Sequence, residues 1–297
     1  MAIKTSFSIK DLENLSGVKA HTIRIWEKRY KLLEPERTDS NIRTYNNASL
    51  QKILNIAVLN KNGIKISKIS SFNEDELFEK VKELTIGGRE NTVALNDFKI
   101  AMLNFDQFLF EKTYNRLLVQ NSFRDVFLKE FIVLLQDIGD LWTTDTIDPM
   151  HERFISTLIK QKILINIERI QPVHSKNDKA FILFLPLNEM HDIGLLYLHF
   201  ELILKGYKSI FLGTSIPTED LRELQNVFSE ITYVSYFTIE PSPDSVIDYL
   251  NTIEEKVLSN RGEQLHILGR STLGIKKQDI SDNIKIHESI INMIDSL

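Results

Sequence analysis

The residues Ser8-Ile9-Lys10-Asp11-Leu12, then Gly17, then Val18-Lys19-Ala20-His21-Thr22-Ile23-Arg24-Ile25-Trp26-Glu27 decide how this chain is read. Ser8 followed three residues later by Asp11 predicts a capped helix start, and Gly17 permits the tight turn that a second helix from Val18 requires. At about 100° per residue, His21, Arg24 and Lys28 share one face of that second helix while Ile23, Trp26 and Tyr30 share the opposite one. One face packs and the other is shaped to enter a major groove, so the pair reads as a helix-turn-helix. Pro35, after Leu32-Leu33-Glu34, is expected to stop the second segment. The alternative is an ordinary amphipathic hairpin with a solvated basic side.

Charge separates the two. Residues 1–70 hold thirteen Lys and Arg against six Asp and Glu, a balance of +7; the whole chain is −5, so the remainder carries −12. A basic head suits phosphate contact, because neutralising phosphates releases counterions and supplies affinity independent of sequence. The acidic body is not expected to touch nucleic acid.

Through Phe7-Ser8-Ile9, Gly17-Val18, Ile23-Arg24-Ile25-Trp26-Glu27, Leu32-Leu33-Glu34-Pro35, Arg37 and Asn41-Ile42-Arg43-Thr44-Tyr45, residues 5–70 resemble the winged-helix DNA-binding domain of MerR-type transcription regulators. The resemblance implies a domain over 1–73. In it His21, Thr22, Arg24 and Lys28 would face double-stranded DNA from the recognition helix, and Arg37, Arg43 and Tyr45 from the first wing. For Arg43 and Tyr45 the alternative is a solvated hairpin with a packed tyrosine. Leu50 to Ile69, broken at Asn62-Gly63, would supply the next helix and a short helical second wing. Regulators of this type bind palindromic operators as dimers and distort them, so the resemblance implies a homodimer or higher homo-oligomer on an operator.

A length of 297 residues with 42% hydrophobic content leaves room for two or three domains with sizeable cores. No apolar run approaches the roughly 20 residues of a membrane span, and Met1-Ala2-Ile3-Lys4 leads toward the first helix without a signal-peptide core, so a cytoplasmic protein with no membrane partner is expected. The absence of Cys excludes disulfides and thiolate metal sites.

Helical periodicity recurs in Leu77, Val81 and Leu84, in Phe98, Met102 and Phe105, and in Phe127, Phe131 and Leu134-Leu135. It predicts four or five helices, a four-helix-bundle-type domain over 74–172, with a break at Gly87-Gly88 and a long helix from Met150 to Ile170. The polar run from Gln171 to Asp178 reads as a linker. From Lys179 short apolar runs alternate with helix-length segments. Strands are expected at 180–187, 209–213, 231–239, 265–268 and 284–287, and helices at 192–205, 218–229, 242–258, near 276–281 and at 290–296. That pattern predicts a doubly wound parallel sheet, flavodoxin-like or Rossmann-like, over 179–297. The fold class is therefore multidomain, α and α/β. In such sheets ligands bind outside the carboxyl ends of the strands.

The loop after the first of these strands reads Leu187-Asn188-Glu189-Met190-His191-Asp192-Ile193-Gly194, with the spacing E-x-H-x-x-G. An acid two residues from a histidine can accept one ring N–H and fix the tautomer that presents the other nitrogen to a metal. Gly194 would open the start of the following helix to close approach by a ligand. The alternative is a surface histidine beside acids.

Residues 180–270 resemble the cobalamin-binding domain of methionine synthase, of corrinoid proteins and of light- or vitamin-responsive MerR regulators. The resemblance implies a cobalamin, adenosyl- or methylcobalamin, with His191 as the lower axial cobalt ligand, Glu189 behind it, and Asp192, Ile193 and Gly194 beside the cofactor's nucleotide tail. Ser235 and Thr238 after the third strand and Gly269 after the fourth would complete the site, with Gly269-Arg270 where the family often has Gly-Gly. Trp142 and Glu152 in the helical region match residues that line the upper face of the cofactor, between bundle and sheet, in related light sensors. Thr143 and Arg153 stand where those sensors have histidines. The expectation is a one-component transcription regulator, not an enzyme, in which cobalamin is coupled to oligomeric state and operator binding. The alternatives are a regulator whose cobalamin-like domain has become a dimerising or docking module and, more remotely, a corrinoid methyl-carrier.

Overall fold

The first helix is fixed by its cap. In the computed structural model, which describes residues 4–86, 90–170, 179–258 and 262–297, Ser8 and Asp11 form a reciprocal capping box that opens α1 (Ile9–Ser16), and Gly17 closes it in the left-handed conformation at φ 71°. Then α2 (Ala20–Tyr30) buries Ile23 and Trp26 and leaves His21, Arg24 and Lys28 exposed. It ends at Tyr30, five residues before the expected stop at Pro35. Lys31 adopts the left-handed conformation at φ 51° and its N–H closes on the Glu27 carbonyl, so the terminus is a backbone cap rather than a proline.

A small antiparallel sheet follows, in which β3 (Arg43–Asn46) lies between β1 (Ser6–Phe7) and β2 (Glu36–Arg37). Next come α3 (Asn47–Lys61), capped by Asn46, and the short α4 (Ile66–Ile69), with the break at Asn62-Gly63. Five helical segments succeed them: α5 (Glu74–Ile86), α6 (Glu90–Asn104), α7 (Gln107–Leu118), α8 (Phe123–Val126) running through a π-turn at Phe127–Phe131 into α9 (Ile132–Thr143), and α10 (Pro149–Ile170). Phe98, Phe110 and Phe131 pack together at their centre with ring centroids 5.1 to 5.9 Å apart. The Gly87-Gly88 break and the 171–178 linker lie outside the described residues.

The remaining elements are β4 (Ala180–Phe184), α11 (Ile193–Leu204), β5 (Lys208–Gly213), α12 (Thr218–Glu223), β6 (Ile231–Tyr236), α13 (Val246–Lys256), β7 (Gln264–Leu268), β8 (Ile284–Ile286) and α14 (Ile290–Asp295). All five strands are parallel in the order β5-β4-β6-β7-β8, so the order reverses between β4 and β6. Ile182, Phe184, Tyr233 and Ile267 pack with α13 residues on one face. On the other face lies α11, buried from Leu195 to Ile203, as a helix that is apolar all round must be. Two expected helices are shorter: 218–229 becomes α12 and a single 3-10 turn, and 276–281 forms only a 3-10 turn at Lys277–Asp279.

The chain divides into two compact units, Met1–Leu158 and Ile159–Leu297. Among the described residues no helix is long and apolar enough to cross a membrane.

Candidate functional site

In the first unit the surface of α2 carries His21, Arg24 and Lys28 exposed, with Thr22 half-buried beside them. Arg37 is exposed on the wing and its guanidinium donates to Asn41 Oδ1 at 2.6 Å. Arg43 is directly opposite Arg37 across the hairpin and forms an ion pair with Glu27 at 3.3 Å. Tyr45 departs from expectation. It is 1% exposed, its hydroxyl donates to Glu27, and burial together with that carboxylate raises its phenol well above its usual range. A ring sealed in this way cannot reach a phosphate, so Tyr45 is a packing residue that joins wing to helix. Glu27 is the residue sequence reasoning missed here: it ties Tyr45 and Arg43 of the wing to the recognition helix.

In the second unit the reversal of strand order puts the loops after β4 and β6 side by side, and Glu189 fastens them. Its side chain is fully buried. Oε1 accepts from the backbone N–H groups of Met190 and His191 at 2.8 and 2.9 Å and from His191 Nδ1 at 2.6 Å. Oε2 accepts from the N–H groups of Thr238, Ile239 and Glu240 at 3.1, 2.7 and 2.9 Å. These donors end β6 at Tyr236, short of the expected 239, because the next backbone groups turn to a carboxylate instead of a strand. Burial pushes the Glu189 carboxyl up, but the His191 ring and the N–H groups of Ile239, His191 and Glu240 outweigh it and hold it at about 2. An ionised acceptor fixes the proton on Nδ1 of the half-exposed His191.

Asp192, just before α11, is buried and paired with Lys160 of α10, and Ile193 opens α11. Gly194 does not stand beside open space: a Cβ there would lie 2.9 Å from Tyr236 Cε2, so the Tyr236 ring already fills that place. Strand alternation explains the swap. Ile231, Tyr233 and Phe237 face the α13 side, so Ser235 does as well, while Tyr236 turns to α11. Ser235 is fully buried with its hydroxyl donating to the Phe184 carbonyl at 2.8 Å, and is not on the face where it was expected to meet a ligand. Gly269, at φ 109°, allows the loop after β7 to pass the Phe237 carbonyl, 2.3 Å from where a Cβ would lie. Arg270 is exposed. A cleft of about 320 Å³ lined by Pro186, Leu187, Pro241 and Tyr249 contains none of the expected site residues.

Trp142, at the end of α9, is 50% exposed, a large ring without full burial. Thr143 and Arg153 are exposed and Glu152 half-buried, whereas His151 is sealed against Phe105 and accepts from the Asp148 N–H at 3.2 Å. The loop after Trp142 is bonded to the head, a link sequence reasoning missed. Lys4 N donates to Asp148 Oδ2 at 2.7 Å, Lys4 Nζ to the Asp145 carbonyl at 2.8 Å, and Asn14 Nδ2 to Thr146 Oγ1 at 2.8 Å.

Comparison with known proteins matches the head and the helical region to two families. Residues 7–74 match the profile of the MerR HTH family regulatory protein, and residues 94–165, from α6 into α10, match that of the B12 binding domain. The HTH-type transcriptional repressor CarH of Myxococcus xanthus is 25% identical over 228 residues, covering 74% of this chain and 75% of that protein. CarA of the same organism, also an HTH-type transcriptional repressor, is 23% identical over 228 residues, 72% of this chain and 70% of its own. The HTH-type transcriptional regulator MlrA of Escherichia coli is 33% identical over 70 residues, 24% of this chain and 29% of that protein. Among solved structures the monomethylamine corrinoid protein of Methanosarcina barkeri has a TM-score of 0.57 at 15% identity, covering 69% of this chain and 97% of that one, which shows a shared fold. The chain joins a MerR-type DNA-binding head to a B12-binding domain and is homologous to the two Myxococcus repressors.

Proposed function

We propose that this protein is a one-component, cytoplasmic transcription regulator in which cobalamin, ligated from below by His191, alters oligomeric state and thereby operator binding. The observation that carries the reading is the Glu189–His191 pair, a fully buried carboxylate 2.6 Å from Nδ1 of a half-exposed imidazole at the strand-order reversal. The donor set fits the cofactor. Among the described residues no cluster of three or more metal-binding side chains exists, and a corrin, which supplies four nitrogens of its own, needs only one from the protein. When bound, the cofactor supplies a cobalt centre with an exchangeable upper ligand. His191 would hold it, Glu189 would keep the imidazole in the right tautomer, and Trp142 and Glu152 are proposed as further contacts.

Linkage requires that the ligand prefer one state of the protein over another. The bonds from the Thr144–Asp148 loop to Lys4 and Asn14 supply a physical route, because that loop follows Trp142 directly and its partners belong to the head. His21, Arg24, Lys28, Arg37 and Arg43 would then meet the operator as part of a dimer. In the test, purified protein is incubated in the dark with adenosyl- or hydroxocobalamin, and absorbance, elution volume and salt-dependent duplex binding are recorded together. Retained corrin absorbance with a shifted elution volume and altered operator affinity is expected; protein that elutes without corrin overturns the reading. A second reading, a regulator whose domain only docks or dimerises, is favoured by the Tyr236 ring beside Gly194. The same experiment separates it, since such a protein elutes colourless at one volume.

A further inference from the structure

A cobalamin held by His191 would bring a bulky nucleotide tail with it. That tail would need a cleft within reach of His191. The nearest backbone without a side chain is Gly194, on the first turn of α11 and three residues along. That place holds the Tyr236 ring, which approaches so closely that a Cβ on residue 194 would lie 2.9 Å from Cε2 and 3.0 Å from Cζ. Among the described residues the Tyr236 hydroxyl has no hydrogen-bond partner, so packing alone keeps the ring there. Tyr236 is the last residue of β6, adjoining the Thr238–Glu240 turn that Glu189 secures. The turn that follows Tyr236 and the residue that would bind cobalt are thus held by one carboxylate.

We propose that Tyr236 is a gate over the nucleotide-tail slot: its ring fills the slot and must rotate out before a tail-bearing corrinoid can be held by His191. The residue therefore sets specificity among corrinoids. One with a tail must displace an aromatic ring, and one without a tail need not. This rests on the cobalamin reading above, and the experiment distinguishes the two. Hydroxocobalamin and its tail-less counterpart aquocobinamide are titrated by absorbance into full-length wild type, Tyr236→Phe and Tyr236→Ala, with thermal melting as the folding control and Tyr236→Thr as a strand-compatible replacement should the alanine variant not fold. Tyr236→Ala is expected to tighten hydroxocobalamin binding about 5-fold or more relative to aquocobinamide, the scale of one aromatic contact. Tyr236→Phe, which keeps the bulk, should retain the wild-type ratio. An unchanged ratio in the small-residue variant, or a changed one in Tyr236→Phe, overturns the gate while leaving the cofactor reading intact. Failure of every protein to bind either corrinoid removes that reading, and the gate with it.

Discussion

Two buried glutamates organise the two functional surfaces, by different means. Glu27 in the head ties a tyrosine hydroxyl and an arginine to α2, so its charge is balanced by a cation that itself belongs to the wing. Glu189 takes five backbone N–H groups and one imidazole N–H. Its charge is balanced by dipoles and by a single imidazole N–H. A regulator needs both solutions. Under the proposed function, a surface that meets phosphates must keep its cations, and a histidine that would hold cobalt must keep a lone pair.

The most damaging test of this contrast is His191→Ala. Loss of the only protein ligand proposed for cobalt should weaken cobalamin binding by more than the roughly 10- to 100-fold that perturbing a supporting group costs, and should abolish the spectral change on ligation. Duplex binding by the cofactor-free protein should be unaltered. Unchanged absorbance titrations would remove His191 from the site.

Next in size is a matched pair. Glu189→Gln places an amide where six donors converge, so about 1–3 kcal/mol of stability and about 10- to 100-fold in cobalamin affinity should be lost, with operator affinity of the cofactor-free protein intact. Glu27→Gln should do the reverse: corrin titrations match wild type, while operator affinity falls by about 10-fold, because Arg43 loses the anchor that sets its direction. Equal effects of both substitutions on both ligands would show that the two glutamates only hold the protein together.

The head was written locally and the α/β unit was not, which explains how much of each is legible in the sequence. The Ser8–Asp11 box, the Gly17 turn and the two faces of α2 depend on residues within four positions of each other, and each stands where the sequence places it. The bond from His191 Nδ1 to Glu189 is likewise a matter of two residues. By contrast Glu189 reaches Thr238, Ile239 and Glu240 across about fifty residues, and no spacing rule carries that. Tyr236 displaced Ser235 from the expected position because strand parity, fixed by the packing of Tyr233 and Phe237, decides which neighbour faces α11. Tyr45 was misplaced for a related reason: its partner Glu27 lies on another element, so an exposed wing residue and a packed one look alike in sequence.

Acid should separate the units more gently. Burial lowers His199 to about 4 and His266 to about 3, and His287 moves in the same direction, also chiefly by burial. The helical unit has one such histidine, His151. A histidine that stays neutral when folded and protonates when unfolded costs stability as pH falls from about 6.5 toward its folded value, with a slope of up to about 1.4 kcal/mol per pH unit for each group. Glu189 adds to this at lower pH: its folded value is depressed from 4.5 to about 2, so its contribution is complete above 4.5 and fades as pH drops toward 2. Urea melts followed by a probe in each unit should therefore show the α/β unit weakening faster between pH 6.5 and 4. In His266→Gln that slope should become shallower; a slope unchanged by this substitution would place the acid sensitivity elsewhere.

The smallest effect concerns the bond that joins receptor loop to head. Asn14 lies on α1 and its amide donates to Thr146, which is itself fully buried, four residues after Trp142. A neutral hydrogen bond of this kind contributes about 0.5–1.5 kcal/mol. If it transmits part of the ligand's preference, Asn14→Ala should leave cofactor-free operator affinity within about twofold and reduce the ratio between loaded and cofactor-free affinities by about two- to tenfold. A purely structural bond would shift both affinities together and leave their ratio alone. Thr146→Val deletes the same bond from the other side, and the double variant tells the cases apart: a transmitting bond makes the second substitution add nothing to the first, whereas independent packing losses add in full.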